Sequence, residues 1–153
     1  MSAVRRLRDL TPEDLDWVAE QEQAIFGPAA WSRAVIEDDF RFPGKRYIGV
    51  EEDGALAGYG ITSFDGEVLH ILNLAVVADA RNRGNGEVLL AAMVEQAREL
   101  GATEVWLEVR VDNDPARGLY ESFGFEPIRL RPRYYQPEDV DGLVMRLRLG
   151  DEA

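Results

Sequence analysis

The chain has 153 residues, enough for one domain with a sizeable core, and its 29 acidic against 17 basic residues give a net charge of −12, which disfavours nucleic-acid binding. It has no cysteine and one histidine, His70, which excludes disulfides, thiolate metal sites and a cysteine nucleophile and argues against a histidine metal site. No apolar run approaches the ~18 residues of a membrane span, and the N-terminus lacks the apolar core of a signal peptide, so we expect a cytoplasmic protein without a membrane partner.

Two helices are predicted after a short first strand at residues 4–8. Thr11 stands before a proline and two acidic residues, the usual order at a helix N-terminus, so the first helix starts there and ends at Gly27. Ser32 is predicted to cap a second helix that runs to about Phe40. The apolar stretch between the helices is either the edge of a substrate cleft or a packed corner.

Three strands joined by tight turns are predicted next. They cover residues 47–50, 55–64 and 68–77, and Asp-Gly pairs separate them, which predicts an antiparallel meander. Gly58 and Gly60 lie inside the second of these strands and indicate a bulge or a close approach of another backbone.

The second half of the chain alternates between helices and strands. A helix with apolar residues at helical spacing ends at Leu100, and Gly101 is its C-terminal cap. The remaining predicted elements are a strand at 104–111, a helix at 113–123, and strands at 125–131 and 140–149. In the first of these strands, Val105, Leu107 and Val109 are predicted to share one face, and Trp106, Glu108 and Arg110 the other. Together these elements predict a single α+β domain with a mixed sheet.

The most informative stretch runs from Ile71 to Leu90, I-L-N-L-A-V-V-A-D-A-R-N-R-G-N-G-E-V-L-L. Its pattern predicts a strand, a glycine-containing turn and a helix. The first turn of a helix has backbone N–H groups without intrahelical partners and carries the positive end of the helix dipole. Gly84 and Gly86 remove side chains from this turn, and Arg81 and Arg83 add positive charge. The stretch therefore predicts a binding site for a phosphate or pyrophosphate.

Two common phosphate-binding motifs do not fit this loop. A P-loop requires Lys and Ser or Thr after its last glycine, and neither follows Gly86. The dinucleotide fingerprint requires a third glycine where Leu89 stands. What remains is R-x-x-G-x-G, and this motif alone leaves an ordinary strand-to-helix turn as the alternative.

A second motif makes the pattern specific. Residues 107–125 fit L-E-V-R-x-x-N-x-x-A-x-x-L-Y-x-x-x-G-F. With the R-x-x-G-x-G loop, this resembles the GNAT family of N-acetyltransferases, in the branch that acetylates protein N-termini, and the resemblance covers nearly the whole chain. It implies one GNAT domain over residues 1–153. The implied fold is a mixed, mostly antiparallel seven-stranded sheet with about four helices. Acetyl-coenzyme A is the implied co-substrate, without a metal.

The resemblance also implies roles for individual residues. Glu108 would be the base that deprotonates the amine, directly or through water, and Tyr120 the acid that protonates the leaving thiolate. The implied coenzyme-binding residues are Leu74, Ala75, Val76, Arg81, Asn82, Arg83, Gly84, Asn85, Gly86, Glu87, Asn113 and Tyr120. Trp31, Tyr134 and Tyr135 would contact the peptide. Without the motif, Glu108 would be interpreted as a solvated strand residue and Tyr120 as core packing.

The implied activity is transfer of an acetyl group to the N-terminal amine, expected to be that of alanine, of a protein such as a small-subunit ribosomal protein. The amine would attack the thioester directly, and the enzyme would be a monomer or weak dimer. Two alternatives stay open: an acetyltransferase for lysine side chains or small amines, and a non-catalytic acyl-coenzyme A-binding regulatory domain. Glu108 and Tyr120 together argue against the second alternative, and the Tyr134–Tyr135 pair favours a peptide substrate.

Overall fold

The computed structural model describes residues 4–136 and 138–150, and this part of the chain forms seven strands and four α-helices. The strands are β1 (Arg5–Asp9), β2 (Lys45–Glu52), β3 (Ala55–Phe64), β4 (Val68–Val76), β5 (Glu104–Arg110), β6 (Glu126–Tyr135) and β7 (Val140–Arg148). The helices are α1 (Leu15–Phe26), α2 (Arg33–Phe40), α3 (Asn85–Leu100) and α4 (Asp114–Ser122). The predicted α+β class and the order of the elements are confirmed.

The strands form one mixed sheet in the order β1-β2-β3-β4-β5-β7-β6. β1 with β2, β2 with β3, β5 with β7, and β6 with β7 are antiparallel pairs, whereas β4 and β5 are parallel. A parallel pair needs a crossover, and the chain segment that contains α3 provides it. The predicted mixed, mostly antiparallel sheet of seven strands is confirmed.

The chain divides into two compact units. The first consists of the described residues up to Ser63 together with Asn73–Met93. The second consists of Phe64–Leu72 together with the described residues from Val94 onward. β4 is therefore shared by the two units, and each unit is described by itself below.

The core of the first unit is formed by helices α1 and α2 and by strands β2 and β3. Leu15 and Val18 of α1 and Ile36 of α2 are almost completely buried, because the apolar residues of each helix recur on one face. The cluster of buried residues comprises Leu10, Leu15, Val18, Ile36, Tyr47, Tyr59, Ile61 and Ala75. This core supports the segment between α1 and α2.

The core of the second unit includes the inward face of β5. Burial alternates along this strand, with Val105, Leu107 and Val109 buried. Trp106 and Glu108 point to the opposite face and are partly exposed. The alternation predicted from the sequence is confirmed, and it places Glu108 on the face that carries the pocket described below.

The start of the first helix differs from the prediction. Residues Pro12–Asp14 form a 3₁₀ turn, and the α-helix begins only at Leu15. The Asp14 carboxylate accepts the backbone N–H of Thr11 at 2.8 Å and pairs with Arg8 at 2.8 Å. Arg8 lowers the pKa of Asp14 to about 2. The prediction for α2 is confirmed, because the Ser32 hydroxyl accepts the N–H of Val35 at 3.2 Å.

β6 extends beyond the predicted end at Arg131. Its register with β7 shifts between Arg131 and Tyr135, which includes the position of Pro132, a residue without an N–H to donate. Arg133 has φ 54° and donates its N–H to the Asp141 carboxylate at 2.8 Å instead of to a strand carbonyl. The irregular stretch thus remains attached to β7 through a side chain, an interaction that strand propensity does not predict.

Gly58 allows the close approach that the sequence indicated. A Cβ atom at this position would lie 2.7 Å from the carbonyl oxygen of Ala75, which is too close for any side chain. Residue 58 must therefore be glycine for β3 and the end of β4 to reach their observed separation.

Candidate active site

The glycine-containing loop of the first unit has the predicted strand–turn–helix form. β4 ends at Val76, a 3₁₀ turn covers Ala78–Ala80, and α3 begins at Asn85. Arg81 to Gly84 are exposed, as is Glu87, whereas Asn85 is buried. Gly84 has φ 88°, a left-handed conformation that L side chains rarely adopt.

The start of α3 leaves backbone donors in the loop. The N–H of Val88 donates to the carbonyl of Gly84 at 3.0 Å, the first bond of the helical pattern. The N–H groups of residues 85–87 precede this bond and belong to the helix terminus, where the dipole is positive. Gly86 adds no side chain above them. The loop therefore fits an anionic pyrophosphate by its backbone.

Asn85 and Arg5 hold the loop in place. The Asn85 amide donates to the carbonyl of Ala80 at 3.0 Å, and its side-chain oxygen accepts from Arg5 Nε at 2.9 Å. Arg5 also donates to the backbone carbonyl of Arg83. These bonds connect β1, the loop and the start of α3. The loop conformation is therefore held by Arg5, a residue 80 positions before Asn85 in the sequence.

The two loop arginines already have partners within the unit. Arg83 Nη1 lies 3.2 Å from Glu52 Oε1, and Glu52 is largely buried. Arg81 Nε donates to the carbonyl of Val76 at 3.1 Å. Both side chains remain exposed. In each guanidinium, one N–H group is held by the partner within the unit, and the other N–H groups are available to an anion.

Leu74, Ala75 and Val76 form the end of β4 next to this loop. Ala75 is buried, and Leu74 and Val76 are partly exposed. The carbonyl of Val76 accepts the Arg81 bond. The backbone of this segment is thus directly continuous with the loop.

Trp31 and Phe26 project from the segment between α1 and α2. Their exposed fractions are 40% and 41%, so these aromatic side chains are not fully packed. The segment is anchored beneath by Glu22, which is 4% exposed and accepts the backbone N–H of Trp31. Tyr59 donates its hydroxyl to Glu22 at 2.5 Å, and Asn73 donates to the same oxygen. Burial raises the pKa of Glu22.

The second unit has a pocket of about 450 Å³ on one face of its strands. Its lining includes His70, Trp106, Glu108, Arg131, Tyr134 and Tyr135. Glu108 Oε1 accepts a hydrogen bond from Arg131 Nη1 at 2.8 Å. The other oxygen, Oε2, is buried and has no hydrogen-bond partner in the described part of the chain. A carboxylate in such a pocket can accept a proton from a bound amine or from a water molecule.

Tyr134 and Tyr135 border this pocket. Their rings are perpendicular, with centroids 5.0 Å apart. Tyr134 is 45% exposed and stacks against the Arg131 guanidinium at 4.2 Å from its ring centroid. Tyr135 is more buried, and this burial, with the charge of Glu108 as a smaller cause, raises its pKa to about 12. The two aromatic rings and Glu108 thus face one pocket.

Tyr120 and Asn113 lie on and before α4 of the same unit. Tyr120 is 7% exposed, its ring packs against Phe125 at 5.9 Å, and burial raises its pKa to about 12. Its phenol therefore stays protonated at neutral pH and can serve as a proton donor. Asn113 caps α4, because its side-chain oxygen accepts the N–H of Ala116 at 3.2 Å.

Among residues 4–136 and 138–150, no group of three or more His, Asp or Glu side chains could hold a metal ion. No helix in this part of the chain combines the length and apolar character that a membrane crossing needs.

Comparison with known proteins assigns the family. The acetyltransferase (GNAT) family profile matches residues 7–125. The chain belongs to the GNAT acetyltransferase family. The match includes the R-x-x-G-x-G loop and Glu108, so both motifs singled out from the sequence fall within the GNAT region.

Related proteins match most of this GNAT chain. It is 35% identical over 149 residues to the N-alpha-acetyltransferase RimI of Mycobacterium tuberculosis, and the matched region covers 94% of this chain and 92% of that protein. It is 32% identical over 135 residues to the ribosomal protein bS18-alanine N-acetyltransferase of Salmonella typhimurium, covering 86% and 87%. The crystal structure of the ribosomal-protein-S18-alanine N-acetyltransferase from Escherichia coli superposes with a TM-score of 0.89 at 26% identity, over 98% and 97% of the two chains.

Four residues that shape these GNAT features had no signal in the sequence. Arg5 and Glu52 hold the glycine loop, Glu22 anchors the Trp31 segment, and Arg131 pairs with Glu108. Their sequence separations explain why, since Arg5 and Asn85 are 80 residues apart and Arg131 and Glu108 are 23 apart. Each is a charged residue of a common type, and only the folded chain shows its partner.

Proposed function

We propose that this chain is an N-α-acetyltransferase that moves an acetyl group from acetyl-coenzyme A to the N-terminal amine of a protein, with alanine as the preferred first residue and a ribosomal protein as the substrate. The observation that carries the proposal is the pocket in which Glu108, Tyr134 and Tyr135 meet. The names of the Mycobacterium and Salmonella relatives support the N-α specificity and the alanine. We further propose one GNAT domain acting in the cytoplasm as a monomer or weak dimer.

The glycine loop is proposed to hold the coenzyme. Its pyrophosphate would lie on the N–H groups of residues 85–87, with Arg81 and Arg83 beside it. Leu74, Ala75, Val76 and Asn113 would contact the pantetheine portion, and Asn82 to Glu87 complete the loop. The co-substrate supplies a thioester, whose carbonyl carbon is activated for attack. Glu87 adds a negative charge near this site, and its exposure allows the carboxylate to turn toward solvent.

Proton transfer is proposed to involve two side chains of the second unit. An α-amine has a pKa of ~7.7–8.0 and attacks only as the free base. Glu108 accepts its proton, directly or through one water molecule, as the new N–C bond forms. The C–S bond breaks, and Tyr120 donates its phenolic proton to the departing sulfur. No covalent intermediate with the protein is needed, in agreement with the absence of cysteine.

A substitution in the glycine loop tests the coenzyme site. Gly86→Val should weaken acetyl-coenzyme A binding more than about tenfold, or roughly 1.4 kcal/mol, because a branched side chain would cover the helix N-terminus. Isothermal calorimetry measures the affinity. Ala91→Val is the matched control, since it adds the same branched side chain at an exposed position of the same helix. Equal affinities of a folded Gly86→Val protein and the control would exclude this loop as the coenzyme site.

Peptide substrates test the N-α specificity. A peptide that begins with alanine and contains an internal lysine should gain one acetyl group, and mass spectrometry of fragments should locate it on the α-amine. Chemical blocking of the α-amine should abolish the reaction although the lysine stays free. Full activity on the blocked peptide would reject the proposal and favour the alternative of lysine or small-amine acetylation. A peptide with the first alanine replaced by a bulky residue measures the preference for alanine.

A further inference from the structure

The Arg131 side chain that pairs with Glu108 also contacts the ring of Tyr134. Arg131 Nη1 lies 2.8 Å from Glu108 Oε1, and the same guanidinium stacks on the Tyr134 ring at 4.2 Å. A charge-assisted hydrogen bond fixes its direction, and the aromatic face fixes its plane. Two independent contacts therefore hold Arg131, and Arg131 in turn holds one oxygen of the carboxylate.

The two oxygens of Glu108 have different surroundings. Oε1 is occupied by Arg131, whereas Oε2 is buried and has no hydrogen-bond partner in the described ranges. A buried acceptor without a partner is costly, so it normally marks a place where a water molecule or a ligand binds. Because Glu108 lines the pocket, the substrate amine or a water molecule attached to it is such a partner.

We propose that Arg131 is a positioning residue for this acetyl transfer. It holds Glu108 through Oε1 and so leaves Oε2 as the atom that accepts the proton of the amine. The inference rests on the proposed function and adds to it which oxygen acts and which residue orients it.

The Glu108–Arg131 pair is expected to contribute little to the free energy of unfolding. The Arg131 side chain is 42% exposed, and ion pairs at this exposure add little to stability. Arg131→Met keeps an unbranched, partly apolar side chain, although a shorter one, and removes the charge and the donors. Its thermal unfolding temperature should therefore stay close to that of the wild type, and changes in rate can be interpreted as effects on the reaction.

Steady-state kinetics with an alanine-first peptide provide the first measurement. Arg131→Met should lower kcat by about 10- to 100-fold with a smaller change in KM, since a misplacement of about 1 Å of a catalytic group has effects of this order. Arg131→Lys keeps the charge and a donor group but loses the planar guanidinium, and it should recover part of the loss. Arg148→Met is the matched control, because Arg148 is an exposed arginine on β7 of the same unit that does not line the pocket, and no described hydrogen bond or ion pair joins it to Glu108. Its kcat should remain within about threefold of the wild type.

A double substitution tests whether Arg131 acts through Glu108. In a Glu108→Gln background, Arg131→Met should have almost no further effect on kcat, because the group that it orients is already lost. If the fold losses in kcat of the two single variants multiply in the double variant, or if Arg131→Met changes only KM, the inference is overturned and Arg131 is instead a direct peptide contact. Equal kcat values for Arg131→Met and Arg148→Met would overturn it as well.

The same data separate this inference from the function on which it rests. If Glu108→Gln loses activity but Arg131→Met does not, only the positioning role fails. If Glu108→Gln turns over at the wild-type rate, the assignment of the base fails, and the proposed function must be revised with it.

Discussion

Glu108→Gln is expected to lower kcat by about 10²–10⁴-fold, the usual contribution of a general base. The amide has the shape of the carboxylate but cannot accept the proton of the amine. The affinity for acetyl-coenzyme A should change little. Rates measured from neutral to alkaline pH should show partial recovery in the variant, because high pH supplies free amine without a base.

Glu104→Gln provides the matched control for this substitution. Glu104 lies four residues before Glu108 on the same face of β5, and its carboxylate accepts the Trp106 indole N–H at 2.5 Å. Removing its charge should leave turnover close to that of the wild type. If Glu108→Gln folds, binds coenzyme and turns over within about twofold of the wild type, Glu108 is not the base, because such an effect lies far below the range for acid–base catalysis.

Tyr120→Phe is expected to lower kcat by about 10²–10⁴-fold as well, but with a different pH profile. Burial raises the pKa of Tyr120 to about 12, so the wild-type phenol stays protonated at pH values well below that value. The acid form is available below the raised pKa and is lost only as the pH rises through it. Wild-type activity should therefore not decline through ionisation of Tyr120 between pH 7 and 10.

The phenylalanine variant keeps the ring that packs on Phe125, so its unfolding temperature should stay near that of the wild type. Its rate should not recover at alkaline pH, because free amine does not replace a missing proton donor. This contrast with Glu108→Gln distinguishes the two roles. Recovery of Tyr120→Phe at high pH, or turnover within about twofold of the wild type, would remove Tyr120 from the mechanism.

Local patterns allowed much of the architecture to be predicted. Ser32 caps α2 as expected, since a hydroxyl reaches an N–H only three residues away. The alternation in β5 gave the correct buried face, because successive side chains of a strand point to opposite sides. The end of β6 was predicted wrongly at Arg131, since pairing with β7 and the bond from Arg133 to Asp141 extend the strand past Pro132.

In the candidate site, the features that contiguous motifs define were predicted from the sequence, whereas the hydrogen bonds between residues distant in sequence were not. The R-x-x-G-x-G loop and the positions of Glu108 and Tyr120 were found from short motifs, because a helix N-terminus and its glycines are adjacent in the chain. The bonds of Arg5 to Asn85, of Arg83 to Glu52 and of Arg131 to Glu108 join residues 80, 31 and 23 positions apart. Surface arginines and glutamates are common, and no local pattern distinguishes those that will pair.

By itself, the sequence determined the α+β class, the order of the elements, the strand–turn–helix form of the glycine loop and the family, because these depend on the periodicity of side chains and on contiguous motifs. Only the tertiary structure decided which oxygen of Glu108 has no hydrogen-bond partner among residues 4–136 and 138–150, which arginine holds the other, and how far Tyr120 is buried. Hydrogen bonding and burial depend on residues that folding brings together from distant parts of the chain, so these properties arise only when the strands have paired.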